Sequence, residues 1–293
     1  MADFIQKITV KSYGTIALTT SNQDQPEVPI KPYGDIVALE LQVTAAITLG
    51  TGTRRASISA EALIDTLTIK DRNNKPIHTL QGYPNTDISN LYLMLTKQFG
   101  TFKGRAAGAA TMADTGGSFN KKIPLYIGID DQPCSIALTL GTIGDILSTV
   151  GTGTATATVK IIAHYAPPAR NPQNGAPVKN TPRSQIFPFV GAVGDNVLDE
   201  KLPQGSKILD TAVLLTVDAD LDHIQFGSSS VDEYPSVNAT TLQDMDFEET
   251  FSGHQTAFYW LRHTPFRVNK LSTLNVNLVN AVTGRVYLLK DGE

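Results

Sequence analysis

One order of strand-like segments occurs twice in this chain, once on each side of a proline-rich stretch. Residues 35–49, DIVALELQVTAAITL, set Val37, Leu39, Leu41 and Val43 against Ile36, Ala38, Glu40, Gln42 and Thr44. That alternation is a long strand, apolar on one face and mixed on the other. LIDTLTIKD (63–71) alternates cleanly, breaks at the turn cluster RNNKP and resumes as IHTLQG, a hairpin signal. In NTDISNLYLMLTKQFG (85–100) the period changes. Ile88, Leu91, Leu95 and Phe99 fall near helical spacing, with Thr86 or Asp87 as cap and Gly100 as stop, which predicts a short helix. KGRAAGAATMADTGGSFN (103–120) reads as a long loop. KIPLYIGID (122–130) and CSIALTL (134–140) read as strands, GTIGDILSTVGTG (141–153) as a connection and TATATVKIIAHYA (154–166) as a closing strand.

Residues 167–188 carry six prolines and almost no apolar periodicity, so they are the natural connection. The order then returns. SKILDTAVLLTVDADLD (206–222) takes the role of the first long strand and LDHIQFGSSSVDEYPSV (221–237) that of the hairpin. NATTLQDMDFEETF (238–251) takes the role of the helix, with Asn238 or Thr240 as cap; 255–268, 271–280 and 284–290 supply the closing strands. The identities do not repeat but the pattern does, so the chain is expected to be all-β. It should hold two consecutive units of roughly eight strands, at 1–166 and 189–293, joined by 167–188.

The abundance of Thr, Gly, Val and Ile agrees with strands. A formal net charge of −4 argues against nucleic acid as the main partner. Cys134 is the only cysteine, so no internal disulfide forms and a reducing compartment is expected. The start, MADFIQKITVKSYG, has Lys7 and Lys11 but no long apolar core, so no signal peptide is expected. No stretch reaches the ~20 consecutive apolar residues of a membrane helix.

No catalytic constellation emerges. LGTGTRR (49–55) and GTGTATATV (151–159) have glycines but lack the Lys and helix start of a phosphate loop, so both read as turns. Cys134 neighbours Asp130 and Asp131, which would raise its pKa; it reads as a small buried hydrophobe. His78, His164, His223, His254 and His263 show no metal-binding spacing. Asp218, Asp220 and Asp222 begin like a calcium loop, but His223 and Ser229 stand where Gly and Glu are needed. These three remain the metal candidates, for an ion bridging subunits. Trp260 in AFYWLRH reads as core packing or a subunit contact. Arg54/Arg55, Lys103/Arg105 and Lys121/Lys122 read as solvated loops or as contacts to an anionic neighbour. No cofactor is expected.

The paired blocks, DIVALELQV to LIDTLTIKDRNNKPIHTL to DISNLYLMLTKQF and ILDTAVLLTVDADLDHIQF to TLQDMDFEETF, resemble a known family. It is the double jelly-roll major capsid proteins of tailless icosahedral viruses with an internal membrane, of the corticovirus and tectivirus type. The resemblance covers nearly the whole chain and rests on architecture and rhythm. It implies two eight-stranded jelly-roll barrels with a short helix in each, and no enzyme activity. It also implies a homotrimer acting as a pseudo-hexagonal capsomer that contacts neighbouring capsomers and other virion proteins. The protein would belong to the virion, assembled in the host cytoplasm, with Lys7 and Lys11 towards the membrane and no direct nucleic-acid contact. Two alternatives stay open: a virion spike or carbohydrate-binding protein, and a glycan hydrolase on two adjacent β-sandwiches.

Overall fold

The structure is a computed structural model and describes residues 6–56, 58, 60–82, 85, 87–98, 112–127, 134–167, 182–215, 220–228, 231–238, 257–261 and 265–291. The chain divides into two compact units, Met1–Thr181 and Pro182–Glu293. The first holds β1 (Gln6–Ala17), β2 (Gln23–Ile30), β3 (Asp35–Thr48), β4 (Thr53–Arg54), β5 (Ile64–Lys70), β6 (Pro76–Gln81), α1 (Asp87–Gln98), β7 (Gly116–Ile127), β8 (Cys134–Leu140), β9 (Leu147–Thr149) and β10 (Thr154–Ala166). The second holds β11 (Arg183–Gly191), β12 (Gly194–Val197), β13 (Lys207–Leu215), β14 (Leu221–Ser228), β15 (Val231–Asn238), β16 (Ala257–Leu261), β17 (Phe266–Arg267), β18 (Thr273–Leu278) and β19 (Val282–Lys290).

Among the described residues, and without the short strands β4, β9 and β17, each unit has eight strands. The first unit forms sheets β1-β10-β3-β7 and β2-β8-β5-β6, and the second forms β11-β19-β13-β16 and β12-β18-β14-β15. Numbered within its own unit, each pair of sheets reads 1-8-3-6 and 2-7-4-5. This antiparallel order, in which the first strand pairs with the last, is a jelly roll.

The alternation that announces the strands also builds the cores. In β8 every second residue from Cys134 to Leu140 is buried, and Leu39, Leu41 and Val43 of β3 are buried likewise. In the second unit Val213, Ile224, Phe226, Leu274, Val276, Val286 and Leu288 belong to one cluster drawn from both sheets. Burying one such side chain stabilises the fold by about 1.5–3 kcal/mol.

Several expectations change. β1 and β2 were not legible in the sequence. The loop expected over 103–120 ends early, because β7 begins at Gly116. The connection expected over 167–188 also ends early, since Arg183 to Pro188 lie in β11. Prolines caused the misreadings of β2 and β11: Pro26 and Pro29 lie in β2, and Pro188 in β11. Both are edge strands, and an edge strand needs only half of its backbone groups for the ladder. The other strand prolines, Pro76, Pro124 and Pro235, lie in β6, β7 and β15, which are also edges. The second expected helix, 240–250, and most of the proline-rich segment lie outside the described residues.

Candidate functional site

The two barrels carry an equivalent polar row across the outer face of the 2-7-4-5 sheet. In the first unit Asp24 of β2 pairs in register with Thr139 of β8, Thr139 with Thr66 of β5, and Thr66 with Gln81 of β6. In the second unit the same positions hold Asp195, Asn277 and His223, and Asn238 follows in register. Each row opens on an aspartate that accepts from the seventh strand: Thr139 Oγ1 donates to Asp24 Oδ1 at 2.7 Å and Asn277 Nδ2 to Asp195 Oδ1 at 2.7 Å. Bonds from Asn277 and then Asn275 hold the Asp195 carboxyl below the usual range. A second row in the first unit joins Glu27 to Lys70 at 2.7 Å and to the Ser135 hydroxyl at 2.5 Å, and those bonds lower Glu27. These rows leave a polar sheet face whose aspartates and Glu27 are held by hydrogen bonds. Nothing in the sequence marked them, because only the strand register aligns their members.

Beneath α1 lies a buried charged cluster. Glu61 is fully buried in the 3-10 turn before β5. Its carboxylate accepts from the Ile88 amide at 3.0 Å and the Ser89 hydroxyl at 2.7 Å. It thereby satisfies a first-turn amide of α1 that no helical carbonyl can reach. Burial pushes its pKa up to about 7, Ser89 and the Ile88 amide oppose that, and Asp87 adds to it. Lys121 of β7 is buried too, and burial lowers its pKa while Glu61 raises it. The solvated loop expected for Lys121 is therefore corrected: β7 starts early and the alternation turns this lysine inward. Glu61 thus reaches the start of α1 from 27 residues away; of the two caps expected, Thr86 lies outside the described residues and Asp87 accepts from the Gln81 amide at 2.9 Å.

A second buried pair, His164 Nε2 and Glu40 Oε2, stands 2.7 Å apart on the other sheet. Burial pushes Glu40 up, but bonds from Gln42, His164 and Asn120 outweigh it and the carboxyl lies below its usual range. Burial lowers His164, the Glu40 bond opposes this, and Lys122 and Lys7 add to the lowering. Lys7 lies opposite His164 in the β1–β10 register and Lys11 stands 5.2 Å over the Tyr13 ring, both on the exposed edge strand β1.

The glycine-threonine runs come together as turns. Gly50 and Gly151 have φ of 56° and 53°, a left-handed backbone that favours glycine. The Thr51 amide donates to Thr152 Oγ1 at 3.0 Å and the Thr152 amide to Thr51 Oγ1 at 3.1 Å, so the two loops bind each other. Cys134 is 2% exposed and burial pushes its thiol up to about 12. Arg54 bonds Asp114 at 2.6 Å and Arg55 the Gly144 carbonyl at 2.6 Å.

Two of the three metal candidates are described and they differ in burial. Asp220 is buried and accepts from Asn280 Nδ2 at 2.8 Å, whereas Asp222 is exposed and stands 2.9 Å from His223 Nδ1. Asp218 lies outside the described residues, as do Lys103, Arg105, Asp130, Asp131, His254 and His263. Among the described residues no group of three His, Cys, Asp or Glu is placed to hold an ion.

Two jelly rolls in one chain make a double jelly roll. No family model and no curated protein matches the chain. Solved structures do, across both units. The crystal structure of the STIV (Sulfolobus turreted icosahedral virus) MCP is 14% identical and covers 98% of this chain and 96% of its own, with a TM-score of 0.70. The PBCV-1 virus capsid is 8% identical, with a TM-score of 0.60 over 98% of this chain and 93% of its own. The major capsid protein P2 of bacteriophage PM2 is 9% identical, with a TM-score of 0.53 over 99% and 97%. At these identities the likeness establishes the fold.

Proposed function

We propose that this chain is a major capsid protein, a structural subunit that trimerises into pseudo-hexagonal capsomers and tiles an icosahedral shell. The observation that carries the reading is the repeat of one eight-stranded order in two units, together with likeness over 98% of the chain to the STIV MCP. A trimer of two-barrel chains presents six similar edges, which is what hexagonal tiling needs. The hydrogen-bonded polar faces fit reversible contacts between copies, and α1 is a further contact element. On this reading the partners are other copies of the chain, neighbouring capsomers and other virion proteins, in a particle assembled in the host cytoplasm. Exposed Lys7 and Lys11 on β1 are the candidates for meeting an internal membrane.

Multi-angle light scattering and electron microscopy of the purified protein test the reading. Trimers with a pseudo-hexagonal outline are expected. A strict monomer at high concentration overturns it.

A further inference from the structure

One buried histidine of the first barrel has only one side of its ring bonded. His164 of β10 is 2% exposed, and its Nε2 stands 2.7 Å from Glu40 Oε2. Glu40 also accepts from Gln42 Nε2 at 2.6 Å, and its carboxyl lies below the usual range, so near neutral pH it is ionised and can only accept. His164 therefore donates from Nε2, which leaves Nδ1 of the neutral ring as an acceptor. That Nδ1 is sealed from solvent and has no hydrogen-bond partner among the described residues. Charged groups reach the ring from every other strand of the sheet. Lys7 of β1 lies opposite His164 in register, Glu40 comes from β3, and Lys122 of β7 lies opposite Glu40. Burial, and then Lys122 and Lys7, weaken the hold of the ring on a second proton, against Glu40.

The backbone beside this ring is loosely held. β1 follows β10 in register from Gln6 to Thr9, and the register then shifts before Lys11. β10 shifts against β3 between His164 and Tyr165. β1 is an edge strand, and of Gln6–Thr9 only Ile8 is partly buried, so one short ladder holds this run. A proton on Nδ1 turns a buried acceptor into a buried donor without an acceptor and sets a third cation beside Lys7 and Lys122, which is costly. The run relieves that cost by leaving β10, because water then reaches the ring and Lys7 moves away. We propose that Gln6–Thr9 is an acid-released latch: protonation of His164 detaches this end of β1 from β10 while the rest of the first barrel stays folded. The ring in the closed latch holds its proton less tightly than an ordinary histidine, so the latch is fully closed above pH 6.5 and loosens as pH falls below it. This goes beyond the shell-forming reading and is a property of the single chain.

Hydrogen exchange of the full-length protein between about pH 8 and about pH 5, corrected for the intrinsic exchange rate, tests the latch. Protection at Lys7, Ile8 and Thr9 is expected to fall on acidification with a slope of up to ~10-fold per pH unit, the limit for uptake of one proton. The central strand β3 is expected to keep its protection. Glu61 cannot cause the fall, because its contribution to stability grows as pH drops through this range. His164→Gln keeps a donor for Glu40 but does not titrate, and is expected to abolish the slope. Lys7→Gln, at an exposed position, is expected to make the total fall smaller, because the ring then comes closer to an ordinary histidine. Protection at Lys7–Thr9 that stays level across the range, or a fall that His164→Gln leaves unchanged, overturns the inference. Should His164→Gln fail to fold, the titration of the His164 ring by NMR takes its place, and a midpoint at or above 6.5 overturns the inference. The shell-forming reading stands or falls separately, on whether trimers form.

Discussion

The first barrel buries charge and the second exposes apolar surface, although both are threaded in the same order. Glu40, Glu61, Asp87, Lys121 and His164 are buried in the first unit. The second buries Asp210 and Asp220, and it exposes Val190, Val193, Val197, Leu271 and Val279, where the first exposes only Tyr33 among the described large hydrophobics. The contrast shows what a jelly roll demands of its sequence. The sheet order requires inward apolar positions and turns at the right intervals, and both units supply these. It leaves the outer faces and connections free, and there the two have diverged to α1 with its buried acid in one and exposed valines in the other.

The largest test of this contrast acts on one core alone. Phe226 is fully buried and its ring stands 5.2 Å from that of Phe266. Phe226→Ala should cost about 3–5 kcal/mol. Hydrogen exchange should show protection falling in β11 to β19 while β1 to β10 keep theirs. Equal loss in both units would mean that they do not unfold separately.

Next in size is the buried acid peculiar to the first barrel. Glu61 is raised from 4.5 to about 7, so the folded chain binds its proton more tightly than the unfolded chain does. Its contribution is therefore fully present below pH 4.5 and is lost as pH rises through about 7. The span is on the order of 3 kcal/mol. Glu61→Gln should flatten the pH dependence of the urea midpoint between pH 5 and 8, and an unchanged slope would remove Glu61 from the account.

The smallest effect concerns the paired turns. A Cβ on Gly50 would lie 2.3 Å from Thr152 Oγ1 on a backbone with φ of 56°. Gly50→Ala should cost about 1–2 kcal/mol from the left-handed conformation, with the clash adding to it. Gly205→Ala in the second barrel, where φ is 79° and nothing lies within 4 Å, isolates the backbone part. Thermal denaturation of the two variants measures the difference.

Alternation at period two made β3, β5, β8, β10, β13, β18 and β19 readable, because a strand buried on one face writes its burial into every second residue. Two repeated blocks around a proline-rich stretch announced two units for the same local reason. Cys134 and the Gly-Thr turns were legible as structural features, since each lacked the neighbours that chemistry requires.

Tertiary structure alone decided the rest. Prolines hid β2 and β11, and only the sheet order shows that both lie at edges, where a missing amide costs little. Glu61 meets Ile88 across 27 residues, and Thr139 meets Asp24 across 115, so no local window holds either pair. Composition determined the charge of each barrel in full. Strand register and burial, which depend on contacts far apart in the chain, decided which of those charges stand outside and which are sealed within.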